Sequence, residues 1–201
     1  MSLLPCLNPQ LVEAGCDEAG RGALAGSVYA AAVILPPGYE NPHLNDSKQL
    51  TARARERLRT QIEHDALAWA IGTATAEEID RINILRASIL AMHRAIDQLS
   101  LRPQALLIDG NRFTPYPHIP HTCIVHGDAT YLAIAAASIL AKTHRDAYMR
   151  SLHHDYPRYG WDRNAGYPTP QHRQALRIYG PTPLHRKTFT LLPDPQLPFA
   201  T

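Results

Sequence analysis

Apolar runs and their spacing divide the chain into elements. Positions 11–17 and 27–35 read as strands, the second rich in Val and Ala and closed by Pro36-Pro37-Gly38. They flank a Gly20-Arg21-Gly22 turn and form a hairpin-like pair around it. A polar amphipathic helix is predicted over 51–65, with Leu58 and Ile62 on one face and arginines on the other. Positions 69–75 give a third strand, and Thr75 with Glu78 fits a capping box that starts a short helix. A further helix is predicted over 84–99, with Ile84, Ser88, Met92 and Ile96 along one stripe. Short strands at 105–108 and 122–125 run into Asp109-Gly110 and Gly127-Asp128. A long alanine-rich helix is predicted over 129–152, its small face suited to close packing on a sheet. After a loop with Tyr156, Tyr159, Trp161 and Tyr167, the last helix spans 170–179, with Thr169 as N-cap, Pro170 at its first position and Gly180 just past its end. This order predicts one α/β domain with a mixed sheet.

The chain of 201 residues is long enough for one domain with a real core. A net charge of +2 is too mild to argue for a nucleic-acid partner by itself. Cys6, Cys16 and Cys123 show no metal-ligand spacing, and so sparse a set suits a reduced, cytoplasmic protein. The N-terminus has no signal pattern, and the longest small-apolar run, 131–141, is too short to span a bilayer. No long unaccounted apolar stripe calls for a partner subunit, so a monomer is expected.

The chemistry gathers at four acids, Asp17, Glu18, Asp109 and Asp128. Each follows a strand-like segment and lies within two residues of a glycine. In open α/β sheets ligands bind at that edge. Hard divalent cations take oxygen ligands, and two such ions in one carboxylate cluster form a clamp for displacement at phosphorus. The bare N–H groups and guanidinium of Gly20-Arg21-Gly22 suit an anionic ligand beside them. The plain alternatives are a solvated turn at Asp17-Glu18, a simple turn at Asp109-Gly110, and an Asp128 that only caps the helix from 129. Cys16, facing away from Asp17 on the same strand, is expected in the core.

Several motifs in order carry a family resemblance: Asp17-Glu18-Ala19-Gly20-Arg21-Gly22, Asp46-Ser47-Lys48-Gln49-Leu50, Asn83-Ile84-Leu85 and Ile108-Asp109-Gly110. Gly127-Asp128 with Ala135 to Lys142, Gly166-Tyr167-Pro168-Thr169 with His172, and Leu184-His185-Arg186 with Phe189 complete the set. The chain resembles the bacterial type 2 ribonuclease H family, ribonuclease HII. The resemblance implies a ribonuclease H-like fold, with a central mixed five-stranded sheet flanked by helices and a C-terminal helical region. Residues 1–190 would form the single catalytic domain, and 191–201 a Pro-rich tail. It implies endonucleolytic cleavage of RNA paired to DNA and at single ribonucleotides embedded in duplex DNA, leaving 5′-phosphate and 3′-hydroxyl ends. By the family pattern Asp17, Glu18, Asp109 and Asp128 would hold two Mg²⁺ or Mn²⁺ ions. Gly20, Arg21 and Gly22 would contact the ribonucleotide and its 2′-OH, and Tyr167 would pack on the neighbouring deoxyribose. Lys48 belongs to the same substrate set. Arg145, Arg163, Arg173, Arg186 and Lys187 are candidate phosphate contacts, although each taken alone is more commonly a solvated charge.

The chain departs from the family pattern at His126 and Ala165, where lysine is common. Both changes remove a positive charge and leave the carboxylates intact. Two rival readings remain at this level: another two-metal phosphoryl-transfer enzyme, which would leave the Gly-Arg-Gly turn and Tyr167 without a purpose, and a nucleic-acid binding module that has kept only the fold.

Overall fold

A computed structural model describes residues 3–44 and 50–193. Strands β1 (Glu13–Ala19), β2 (Val28–Ile34), β3 (Ala68–Ala74), β4 (Ala105–Asp109) and β5 (His121–Ile124) form one five-stranded sheet in the order β3-β2-β1-β4-β5. The β1–β2 and β2–β3 pairs are antiparallel, and β1–β4 and β4–β5 are parallel. The sheet is therefore mixed and five-stranded, as the sequence predicts. β1 does not end at the acids, however. It continues through Asp17 and Glu18 to Ala19, pairing Asp17 with Ala31 and Glu18 with Ala30.

Helices α1 (Ala52–Asp65), α2 (Ala76–Ile82), α3 (Ile84–Asp97) and α4 (Leu132–Asp155) cover the two faces. Alternation along the strands sorts the side chains. Ala14 and Cys16 of β1 pack with Val28, Ala30 and Ala32 of β2 against the α2–α3 side, where Ile79, Ala91 and Ala95 lie. Ala19, Ala31 and Val33 pack on the other side, against α1 and α4. Cys16 is fully buried in the first of these clusters, as expected.

Small residues let both helices approach closely. A Cβ built on Gly15 would lie 2.3 Å from the Ala133 carbonyl carbon of α4. One built on Gly72 would lie 2.0 Å from the Ala91 carbonyl oxygen of α3. The alanine-rich face of α4 packs on the sheet through this contact, as its sequence suggests.

The predicted caps are present. Thr75 and Glu78 make the reciprocal capping box, and the Thr169 hydroxyl accepts from the His172 N–H with Pro170 beginning the helix. The start of α4 differs from expectation. Gly127–Ala129 is a separate 3-10 turn, and α4 begins at Leu132 with Tyr131 at its N-cap. Asp128 is therefore not the cap of that helix.

A third apolar cluster joins the β1–β2 connection to the C-terminal region. Leu24, Ala25 and Met149 pack there with Tyr159 and with Trp161 of α5 (Trp161–Asn164). Ala175 and Leu176 of α6 (Pro170–Tyr179) complete it. Among the described residues no helix is long and apolar enough to cross a membrane.

Gly15→Ala is expected to destabilise the protein by about 1–3 kcal/mol, because backbone rather than a flexible side chain meets the added methyl. Guanidinium unfolding checks this. An unchanged midpoint would show that α4 can slide away at no cost.

Candidate active site

β1 carries its two acids to opposite sides of the sheet. Asp17 shares the α4-facing side with Gly15, and Glu18 shares the α3-facing side with Cys16. The parallel neighbour β4 ends on the third acid. Its register with β1 pairs Cys16 with Ile108, so the next step brings Asp109 level with Asp17. The fourth is tied in through the backbone: the Gly127 N–H donates to Asp109 Oδ1 at 2.8 Å, which fixes the 3-10 turn bearing the buried Asp128.

Asp17 is 5% exposed. Its Oδ1 accepts from the Glu18 N–H at 2.6 Å, and Ser138 of α4 hydrogen-bonds the same carboxyl group. Burial first, then the charges of Glu18 and Asp109, hold this carboxyl well above the usual carboxylate range, against the pull of those hydrogen bonds. Glu18 Oε1 is ion-paired with Arg21 Nη1 at 2.9 Å. Among the described residues no three Asp, Glu, His or Cys side chains form a ready-made metal-holding group.

The Gly-Arg-Gly turn is shaped from below by two buried arginines. Arg186 Nη2 donates to the Gly20 carbonyl and Nη1 to the Arg21 carbonyl, each at 2.8 Å, and Nε and Nη2 both reach the Gly26 carbonyl. Arg145 donates to the carbonyls of Ser27, Ala165 and Ala25. In a trans peptide the N–H points opposite to the C=O. With the Gly20 and Arg21 carbonyls turned to a buried guanidinium, the N–H groups of Arg21 and Gly22 point outward.

The two glycines of the turn have different reasons to be glycine. Gly20 has φ +97°, and an added Cβ would lie 2.0 Å from Arg145 Nε. Gly22 has ordinary backbone and open space where a Cβ would go. The fold does not demand glycine at 22; close approach of a ligand would.

These groups border one cavity. Asp17, Asp109, Ser138 and Lys142 line it together with the turn and Tyr167. The Tyr167 ring is backed by Lys142 Nζ at 5.4 Å and Arg145 Cζ at 5.2 Å from its centroid. A second cavity continues along α3 from Glu18, Arg21 and Asp109 to Ser88, Asn111 and Arg112. Of the predicted site residues, Asp17, Glu18, Asp109, Gly20, Arg21, Gly22 and Tyr167 thus come together, with Asp128 joined through Gly127. Lys48, with Asp46, Ser47 and Gln49 of its motif, lies outside the described residues.

Two candidate phosphate contacts are corrected. Arg145 and Arg186 are fully buried and spend their donors on backbone carbonyls, so they are neither phosphate contacts nor solvated charges. Arg173 donates to the Leu191 carbonyl at 3.0 Å. Sequence reasoning gave no separate role to Ser138, Lys142, Asn111 or Arg112. The first two sit one helical turn apart on α4, a spacing visible in the sequence, but only the sheet says which face of α4 meets the acids.

The model of the ribonuclease HII family matches residues 14–192. Ribonuclease HII of Bacteroides thetaiotaomicron is 67% identical over 195 residues, covering 97% of this chain and 98% of that protein. Among solved structures, ribonuclease H2 from Pyrococcus horikoshii superposes with a TM-score of 0.74 at 26% identity, over 89% of this chain and 94% of that one. Bst-RNase HIII in complex with Mn²⁺ shares the fold, with a TM-score of 0.61 at 18% identity over 89% and 67%.

Since the Asp17 carboxyl is raised, ionising it costs stability that is fully present below the unfolded carboxylate range and is lost as pH rises through its folded value. Asp17→Asn is therefore expected to raise the melting temperature of the metal-free protein at pH 8, since Asn Oδ1 can still accept from the Glu18 N–H. Millimolar Mg²⁺ should then stabilise wild type more than the variant. Thermal melts with EDTA and with Mg²⁺ measure both, and a variant less stable than wild type in EDTA would refute the repulsion argument.

Proposed function

We propose, from a chain that belongs to the ribonuclease HII family, that it hydrolyses single ribonucleotides embedded in duplex DNA by a two-metal-ion mechanism. Membership itself makes the chain a metal-dependent endonuclease acting on the RNA strand of RNA–DNA hybrids. The observation that carries the finer reading is the cavity in which Asp17 and Asp109 lie beside outward N–H groups of the Gly-Arg-Gly turn and the Tyr167 ring. Cutting groups and a sugar-sized reader share one wall.

The donor set fits hard divalent cations. Every ligand offered is a carboxylate oxygen, and the charges of Glu18 and Asp109 beside the buried Asp17 call for an offsetting cation. Asp17, Glu18, Asp109 and Asp128 would hold Mg²⁺ or Mn²⁺. Two bound ions supply Lewis acidity to the scissile phosphate and its attacking water. The water oxygen bonds to phosphorus as the bond to the 3′-oxygen breaks, so a 3′-hydroxyl and a 5′-phosphate result.

The chain's own groups choose the bond. The Arg21 and Gly22 N–H groups meet the 2′-OH, the one group that distinguishes RNA from DNA. Gly22 has no side chain to hold the sugar off. Tyr167 packs against the next sugar, which lacks a 2′-OH that would crowd the ring. Arg21, 52% exposed at its side chain, can swing from Glu18 toward phosphate. Residues 1–190 act as one catalytic domain and as a monomer, with 191–201 a tail outside the chemistry.

The test is a DNA duplex with one embedded ribonucleotide beside an all-DNA duplex and an RNA–DNA hybrid in Mg²⁺, with the cut position mapped. Cleavage is expected at the embedded ribonucleotide and in the RNA strand of the hybrid, and none in all-DNA. Equal cutting of all-DNA sinks the proposal, and a wild-type protein that never cuts makes it a binding module.

Asp109→Asn keeps the acceptor for the Gly127 N–H, and is expected to cut cleavage by more than about a hundredfold, beyond the loss from a mere supporting partner of a metal ligand. Duplex binding should survive. Gly22→Ala should leave the melting temperature unchanged and lower kcat/KM on the embedded ribonucleotide. Wild-type rates from that variant would remove the turn from the 2′-OH contact.

A further inference from the structure

We propose that His172 and His185 are positioning residues that set the Tyr167 ring against the substrate through a fixed hydrogen-bond relay. The inference rests on the reading of Tyr167 given above and extends it to two residues that line no part of the cutting site.

The relay has a single consistent proton arrangement. The Thr182 N–H donates to His185 Nδ1 at 2.9 Å, so that nitrogen is an acceptor and the neutral ring carries its proton on Nε2. His185 Nε2 lies 3.1 Å from His172 Nε2 and donates to it. Trp161 Nε1–H also donates to His172 Nε2, at 3.1 Å. An Nε2 that accepts places the His172 proton on Nδ1, which lies 2.9 Å from the Tyr167 carbonyl oxygen and donates to it. Three links run in series from the C-terminal segment to the backbone of the reading residue, with the Trp161 bond joining from the side.

Both rings are buried, His172 at 0% and His185 at 1% exposure. Burial keeps each below the ordinary histidine range, His185 at about 4, so both stay neutral as the relay requires. Their environment is rigid: the rings pack against Trp161 and Tyr159, which stack at 5.3 Å. The other side of the Tyr167 backbone is also held, since its N–H donates to the Asn164 carbonyl and Gly166 N–H to Asn164 Oδ1. Two neutral histidines with their tautomers set, ending on one carbonyl, exceed what core packing needs.

Two variants separate the halves of the relay. His172→Asn keeps a donor where Nδ1 stands and loses the acceptor at Nε2. His172→Gln keeps the acceptor and loses the donor to Tyr167. Melting temperatures are recorded for both, with steady-state kinetics on the embedded-ribonucleotide duplex. His172→Gln is expected to lose about tenfold in kcat/KM, mainly through KM, as a misplaced positioning group does. His172→Asn, which keeps the donor to Tyr167 but cuts the link to His185, should lose a smaller part of kcat/KM than His172→Gln whatever its melting temperature, and wild-type kinetics from it would remove His185 from the positioning role. Combining His172→Gln with Tyr167→Ala should cost no more than Tyr167→Ala alone.

Additive losses, or losses that simply track melting temperature, would overturn the positioning role. If Tyr167→Ala is impaired while His172→Gln is not, the positioning role alone fails. If Tyr167→Ala cuts like wild type, the reading of Tyr167 fails and the positioning role falls with it.

Discussion

Two buried guanidinium groups hold the connection between β1 and β2, and the rest of the site depends on them. Taking Arg145 and Arg186 out of water costs several kcal/mol each. The cost is tolerable only because their donors meet the carbonyls of Gly20, Arg21, Ala25, Gly26, Ser27 and Ala165. The same bonds satisfy carbonyls that have no strand or helix to pair with, each of which would otherwise cost roughly 1–3 kcal/mol. Facing the carbonyls inward leaves the N–H groups of the turn outward. The site's specificity surface is thus the reverse side of a structural requirement.

The acids proposed to hold the metal ions answer a different constraint. Placing Asp17 and Glu18 on adjacent positions of one strand sends them to opposite faces, so Asp17 borders the cavity beside Tyr167 while Glu18 reaches both cavities, and Asp109 from the parallel neighbour stands level with Asp17. Parallel pairing is what makes this possible: β1 and β4 end at the same edge, whereas the antiparallel β2 begins there. Burial, and then the charges of Glu18 and Asp109, hold the Asp17 carboxyl above the usual carboxylate range, and a bound cation would offset both. Gly15 matters here as well, because the close approach of α4 that it permits brings Ser138 to the Asp17 carboxyl.

Much of this was legible in the residues. Apolar runs located every strand, since the buried strands carry few polar positions to confuse the pattern, and the caps at Thr75 and Thr169 follow from local chemistry. The strand-end acids stood out because carboxylates after apolar runs need an explanation. Three things were not legible. The strand does not stop at Asp17, because a charged residue ends an apolar pattern without ending the hydrogen-bond ladder. The start of α4 was placed early, because a 3-10 turn at Gly127–Ala129 and a helix look alike in alanine-rich sequence. Arg145 and Arg186 read as solvated charges or phosphate contacts, and the contact between His172 and His185 does not show in the sequence, because burial of a polar side chain depends on partners far away in sequence: Arg186 bonds a carbonyl that lies 166 positions away.

Those long-range bonds decide how the C-terminal region relates to the sheet. Residues after α4 contribute no carboxylate to the cutting group, and by sequence alone they read as a helical region at the end of the single domain. Yet Arg186 bonds the carbonyls of the Gly-Arg-Gly turn and His172 bonds the Tyr167 carbonyl, so both walls of the proposed reading cavity are tied to that region. The acids, by contrast, are held by strand pairing, Ser138 and the Gly127 contact. Loosening the C-terminal region should therefore blur which bond is chosen before it weakens the power to cut. His126 and Ala165 fit this division. Both have left-handed backbone, φ 57° and 48°, and sit next to Gly127 and Gly166, so the turn geometry beside the acids and beside Tyr167 is kept while the side chain varies. On the proposed reading, a side chain without lysine's charge at either place would act on attraction to the duplex, since neither residue supplies a carboxylate to the cutting group.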